Sequence, residues 1–195
     1  MQPTTASAIK AGATIAGMLV VTVLLSACGT PTSPTAQPPH ALTALSSGWQ
    51  VGASEMRDGE GRSFTVCTLQ RAGDGGSRFW IATTSATITR DLYVGVRSAS
   101  LPAVEGRAAR KPGLVIDGTA FRPQRAQQAG DSLSMVIPGA EAEAFLQAFA
   151  KGYNLEVTAE DLPGFSFPVS LVGTANGRRE WQKCIETELK PPANG

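Results

Sequence analysis

The sequence predicts an α+β domain: an antiparallel β-sheet or small sandwich with two helices near the C-terminus, stapled by one disulfide. Three observations predict it. From Trp49 to Val136, short apolar runs are separated by turn residues, the pattern of consecutive strands. After Ala140 the apolar spacing lengthens, in two places, to that of a helix face. A cysteine stands in each part, Cys67 among the strands and Cys184 in the last helical stretch.

Gly48 to Ala53 reads as a first strand containing Trp49 and Val51. Asp58-Gly59-Glu60-Gly61 turns the chain into a second strand, along which Phe64, Val66 and Leu69 are expected to alternate. Gly73-Asp74-Gly75-Gly76 turns it again into a third, Phe79 to Thr84, since glycine adopts positive φ without strain. Leu92, Val94 and Val96 alternate within Asp91 to Ser98. Leu114-Val115-Ile116 and Thr119-Ala120-Phe121 flank Asp117-Gly118, the strongest hairpin signal of the chain. Ser132 to Ile137 is a further strand.

From Ala140 to Lys151 the residues Ala142, Phe145, Leu146 and Phe149 fall on one helical face, and Gly152 is placed to end the helix. Tyr153 to Thr158 returns to strand alternation. Phe165 to Leu171 is another strand, in which Pro168 argues for an edge or a bulge. Thr174 then stands where a cap is expected, before a helix whose Trp181, Cys184, Ile185 and Leu189 share a face. Pro191 to Gly195 reads as a frayed tail.

The N-terminus carries no strand or helix pattern of the domain. Met1 to Lys10 is polar and positive, and Ala11 to Leu25 is uncharged and apolar apart from scattered Gly and Thr. That run, about 15 residues, is short of the roughly 20 that span a bilayer, so a cleaved export signal is expected. Leu25-Ser26-Ala27-Cys28 then resembles the lipobox of bacterial lipoproteins. The resemblance implies removal of residues 1–27, lipidation of the Cys28 thiol and attachment to membrane. With Gly29 rather than Asp after the cysteine, it further implies an outer membrane facing the periplasm in a host that has one. Residues 28–42, rich in Pro, Thr and Ser, read as a flexible tether, and 43–190 as a single globular domain.

The signal removes one of 17 basic residues, Lys10, and none of the 16 acidic ones, so the remaining chain is formally neutral and gives no electrostatic case for nucleic acid. Outside the cytoplasm Cys67 and Cys184 are expected to pair. That bond would close a loop of more than 100 residues, for which chain entropy gives roughly 4–5 kcal/mol.

The chain also resembles the invasion associated locus B proteins, a family of small exported bacterial domains. The residues that carry this are Trp49 leading a first strand before Cys67, the Leu114 to Phe121 hairpin, and Val169-Ser170-Leu171-Val172-Gly173-Thr174 running into the helix with Cys184. The lipid anchor and the single cysteine pair depart from that family. The resemblance implies a secreted β-rich fold and an envelope or host-facing, virulence-associated role, and it brings no catalytic residue.

The only histidine, His40, lies in the tether, so the domain lacks the commonest general base and the usual imidazole zinc ligand. No metal or cofactor is expected. Asp58-Gly59-Glu60-Gly61 and Asp74-Gly75-Gly76 lack the run of oxygen ligands of a calcium loop and read as turns. Carboxylate catalysis, as in a cell-wall hydrolase, would have to draw on Glu55, Asp58, Glu60, Asp91, Asp117, Glu156, Glu160 or Asp161, and no pair is singled out by spacing. Basic residues gather at Arg107, Arg110, Lys111, Arg122 and Arg125 around the central hairpin, and at Arg178 and Arg179. Trp49 and Trp181 are expected in the core. Trp80 follows Phe79, so one of the two must face outward or be covered by a helix. Trp80, Arg122 and Arg125 are therefore the candidate partner-binding residues. The expected function is a lipid-anchored, non-catalytic binding or assembly module for an envelope protein or glycan.

Overall fold

The computed structural model describes residues 42–85 and 91–189. The expected export signal, Cys28, His40, the expected tether up to residue 41 and the tail from 190 lie outside the described residues. The strands are β1 (Thr43–Ala44), β2 (Trp49–Arg57), β3 (Ser63–Ala72), β4 (Arg78–Thr84), β5 (Leu92–Arg97), β6 (Ala108–Ala109), β7 (Pro112–Ile116), β8 (Thr119–Phe121), β9 (Arg125–Ala129) and β10 (Ser132–Ile137). Helix α1 (Gly139–Lys151) follows, then β11 (Asn154–Ala159), β12 (Ser166–Ser170) and helix α2 (Thr174–Glu188). The strands form an eight-stranded sheet in the order β1-β2-β3-β4-β5-β10-β9-β6 and a four-stranded sheet β12-β11-β7-β8. Their pairings are antiparallel. The α+β class, the two helices and the disulfide are as the sequence predicts.

Turn chemistry sets the hairpins. The Asp58 carboxylate accepts the N–H groups of Glu60 and Arg62, both at 2.9 Å, closing the turn between β2 and β3. Asp117 and Gly118 both adopt positive φ (45° and 86°), as a tight β7–β8 hairpin requires. The Asp117 carboxylate also accepts the N–H groups of Tyr153 (2.8 Å) and Asn154 (3.0 Å), which fixes the start of β11 beside β7. Pro168 sits on β12, an edge strand, where its missing N–H is tolerated.

The core lies between the inner face of the larger sheet and a layer made of α1, α2 and the smaller sheet. Trp49, Phe79, Phe145 and Phe149 are at most 1 % exposed. Phe149 of α1 meets Trp49 edge-on at 5.4 Å and stacks with Phe79 at 6.0 Å, while Phe145 meets Phe121 of β8 at 5.3 Å. One face of α1 thus joins the two sheets through aromatic contacts, each worth about 0.5–1.5 kcal/mol beyond the area buried. Helix α2 packs over β2 and β3. The Trp181 indole N–H donates to the Cys67 carbonyl at 2.8 Å, and Gly177 lies so close to Leu69 that a Cβ there would sit 3.0 Å from its Cδ1. The Cys67–Cys184 disulfide spans 117 positions and ties this helix to β3.

The structure departs from the expected elements in three places. In β3 the inward residues are Cys67 and Leu69, and Phe64 and Val66 occupy the opposite face; Leu69 does not share their parity. Gly173, in the left-handed region (φ 88°), precedes α2, and Thr174 is the first helical residue, its hydroxyl donating to the carbonyls of Phe149 and Leu171. Gly152 ends α1 as expected, with φ −76°. Its value there is space, because a Cβ would stand 2.7 Å from Ile116 Cγ2. Strands β1, β6 and β9 carry too little apolar alternation to announce themselves. In β9 the inward positions are Ala126 and Gln128, the latter 0 % exposed. The Gln128 amide donates to the Pro102 and Gly130 carbonyls and accepts from Arg110, so its burial leaves no polar group unpaired.

Candidate binding face

Each strand of the larger sheet sends alternate side chains to the core and to the opposite, outer face. The register therefore fixes which residues meet outside. One row crosses the sheet as Gln50 (β2), Gln70 (β3), Trp80 (β4), Gly95 (β5), Ser134 (β10) and Gln127 (β9). At about 4.8 Å per strand the row is about 24 Å long. Beside it run Ala82, Tyr93, Val136 and Arg125 on one flank, and Arg78 and Arg97 on the other.

Trp80 is the centre of this face. It is half-buried, whereas Trp49 and Trp181 are 0 % and 2 % exposed. Its indole lies across Gly95: a Cβ at that position would stand 2.1 Å from Cζ2 and 2.3 Å from Cε2. Glycine is required here by that close approach. The ring packs on the backbone of β5 and stays partly exposed. Gln70 is 5 % exposed, and its amide donates to the Gln50 side-chain carbonyl at 2.8 Å, which holds two neighbouring amides in a fixed relation to the ring.

The charged side chains at the outward strand positions have one sign. The outward positions of β2, β3, β4, β5, β9 and β10 include Arg78, Arg97 and Arg125 and no Asp or Glu. Arg78 and Arg97 are direct cross-strand partners, an arrangement in which like charges repel. Arg97 is relieved by Asp131 of the β9–β10 turn, at 2.8 Å. Arg78 and Arg125 are exposed and make no ion pair among the described residues.

Of the residues singled out by sequence, the fold thus brings Trp80 and Arg125 to one face, three strand spacings apart. Arg122 stands in the link between β8 and β9, outside both sheets. Arg110 is engaged with Gln128 and Asp161, and Arg178 with Glu143 and the Leu146 carbonyl. Sequence reasoning missed Arg78, Gln50, Gln70, Gln127 and Ser134. Their alternation was visible, but the pairing that aligns them was not.

Most of the candidate carboxylates have structural partners. Asp91 accepts the Gly139 N–H at the start of α1, and Glu156 accepts from Ser166. The Arg62 side chain holds Asp58 below the usual carboxylate range, and Arg97 does the same for Asp131. Glu143 is lowered by Gln147 and then Arg178, and Asp161 by the Lys111 N–H and then Arg110. These shifts favour the ionised form, the reverse of what a general acid needs. A concavity of about 590 Å³ beside α1 and α2 contains Asp91, Glu143 and Trp181, each already committed to the partners above. Among the described residues no three His, Cys, Asp or Glu side chains gather as metal ligands, and no helix is long and apolar enough to cross a membrane.

No protein-family model matches the chain, and no curated protein or solved structure matches it.

Proposed function

We propose that this chain is a lipid-anchored envelope protein whose domain is a non-catalytic binding or assembly module, with the outer face of the eight-stranded sheet as its contact surface. The observation that carries the reading is this face: an indole packed on Gly95, fixed amides beside it and three arginines, of which only Arg97 has a carboxylate, Asp131, beside it. A sheet face that served only to close a domain would be expected to mix charges of both signs. The lipobox-like Leu25-Ser26-Ala27-Cys28 supplies the anchor in this reading, and the Pro- and Thr-rich residues after it supply reach. In a host with an outer membrane the domain hangs from that membrane into the periplasm.

A photo-reactive residue placed at Ser134, in the Trp80 row, tests the surface in native cells. The control position is Ala144, exposed on α1. Discrete adducts from Ser134 and none from Ala144 are expected. Equal labelling from both, or none from Ser134, overturns the assignment of this face. Intact mass of the membrane-extracted protein tests the anchor, which requires residues 28–195 plus a diacylglycerol.

A further inference from the structure

Resting on the reading of this face as a contact surface, we infer that its ligand is an anionic polysaccharide, bound with a sugar ring against Trp80 and its acidic groups toward Arg78 and Arg125. Three features select this chemistry. A partly exposed indole on an outward sheet position suits the C–H face of a pyranose ring, which is apolar on its faces and hydroxylated at its rim. The groups beside it are the neutral donors and acceptors that hydroxyls pair with, Gln70 and Gln50 on one side and Ser134 and Gln127 on the other. The cations are few and arginine only, and Arg78 stands across from Arg97 with no ion pair of its own among the described residues. A planar guanidinium takes a carboxylate or sulfate bidentately, so a bound anion relieves that repulsion.

The same observations weigh against other anionic partners. Single-stranded nucleic acid carries a phosphate on every nucleotide and is held by several aromatic stacks in a strongly basic groove. Here one indole, with Tyr93 on its flank, and three arginines, one already paired with Asp131, share about 24 Å of sheet. An anionic lipid surface calls for exposed apolar side chains that insert between headgroups; Tyr93 and Val136 beside the row are only partly exposed, and the Trp80 row itself offers amides and a hydroxyl.

The test uses the full chain in detergent, with alginate as the anionic probe, dextran as a neutral polysaccharide, a thymidine oligonucleotide, and phosphatidylglycerol vesicles. Since Trp49 and Trp181 are buried, acrylamide quenching of tryptophan fluorescence reports Trp80. Alginate is expected to protect it, with affinity that falls as salt rises. By calorimetry, dextran and Trp80→Ala should each weaken binding by about tenfold or more, the loss of a central aromatic anchor. Arg78→Gln, an exposed change that leaves the fold intact, should weaken it about threefold and flatten the salt dependence. No alginate binding, alginate binding indifferent to both substitutions, or tighter binding to the oligonucleotide or the vesicles overturns the inference. So does a Trp80 shielded from acrylamide in the free chain, which would place a segment of this chain on the face. If alginate fails while Ser134 still crosslinks an envelope protein and Trp80→Ala abolishes the adduct, the polysaccharide falls and the contact surface stands. If both fail, both fall.

Discussion

The two faces of the eight-stranded sheet are made by the same strands and obey different rules. Inward, Val51, Leu69, Ile81, Val94 and Met135 form a row no more than 6 % exposed. One residue along each strand, the outward row is Gln50, Gln70, Trp80, Gly95 and Ser134. The inner row is what any sheet needs to bury against helices. The outer face contains two costs: a glycine in mid-strand, which sacrifices about 0.5–1 kcal/mol relative to Ala, and, on the flank of the row, Arg78 set against Arg97. Stability alone would remove both. Their presence together, around a half-exposed indole, is the physical case for a face shaped by contact rather than by folding.

This comparison is broken most directly from the inner side. Phe149→Ala removes a ring that touches Trp49, Phe79 and Phe145, and should lower unfolding free energy by about 3–5 kcal/mol. Chemical denaturation measures it. Trp80→Ala should lose only about 1–2 kcal/mol in the same experiment, since part of the indole already faces water. If the two losses were equal, Trp80 would be a core residue and the two faces would not differ.

Gly95→Ala sharpens the outer face alone. The new Cβ meets the indole at about 2 Å, so the ring must leave its seat on β5. The overpacking costs about 1–3 kcal/mol and the gain from replacing a strand glycine offsets part of it, leaving a net loss of about 1 kcal/mol. The clearer sign is spectroscopic: Trp80 should become more open to acrylamide and its emission should shift to the red. An unchanged spectrum would mean that the ring does not lie on Gly95.

Inner-face residues were legible because burial leaves an apolar signal: Val94 and Val96, Leu114 and Ile116, and Phe145 and Phe149 each announced an element and its buried side. Strand β9 was illegible for the opposite reason. Its inward Gln128 is satisfied by a network whose partners, Pro102, Gly130 and Arg110, are distant or on other elements, and no local period encodes that. For the outer face the sequence gives membership but not alignment. Trp80 stood out as the neighbour of Phe79. That Gly95 lies beneath it, and Arg97 beside Arg78, follows from the register between β4 and β5, which a single sequence does not display.

The smallest effect concerns ion pairs on the two sides. Arg110 and Asp161 connect the link before β7 to the turn after β11, with side chains 15 % and 30 % exposed. Arg97 and Asp131, at the rim of the outer face, are 58 % and 44 % exposed. Both carboxyls are held below the ordinary aspartate range, Asp161 chiefly by the Lys111 N–H and Asp131 chiefly by Arg97. A carboxyl depressed in the folded state adds stability above its unfolded pKa, and that contribution disappears as pH falls through the folded value. Urea midpoints should therefore drop on acidification below about pH 4. Asp161→Asn should flatten this acid limb more than Asp131→Asn, because water and salt screen the exposed pair more strongly. Equal flattening would show that the Lys111 N–H and the partial cover around Asp161 give it no advantage over a rim carboxylate.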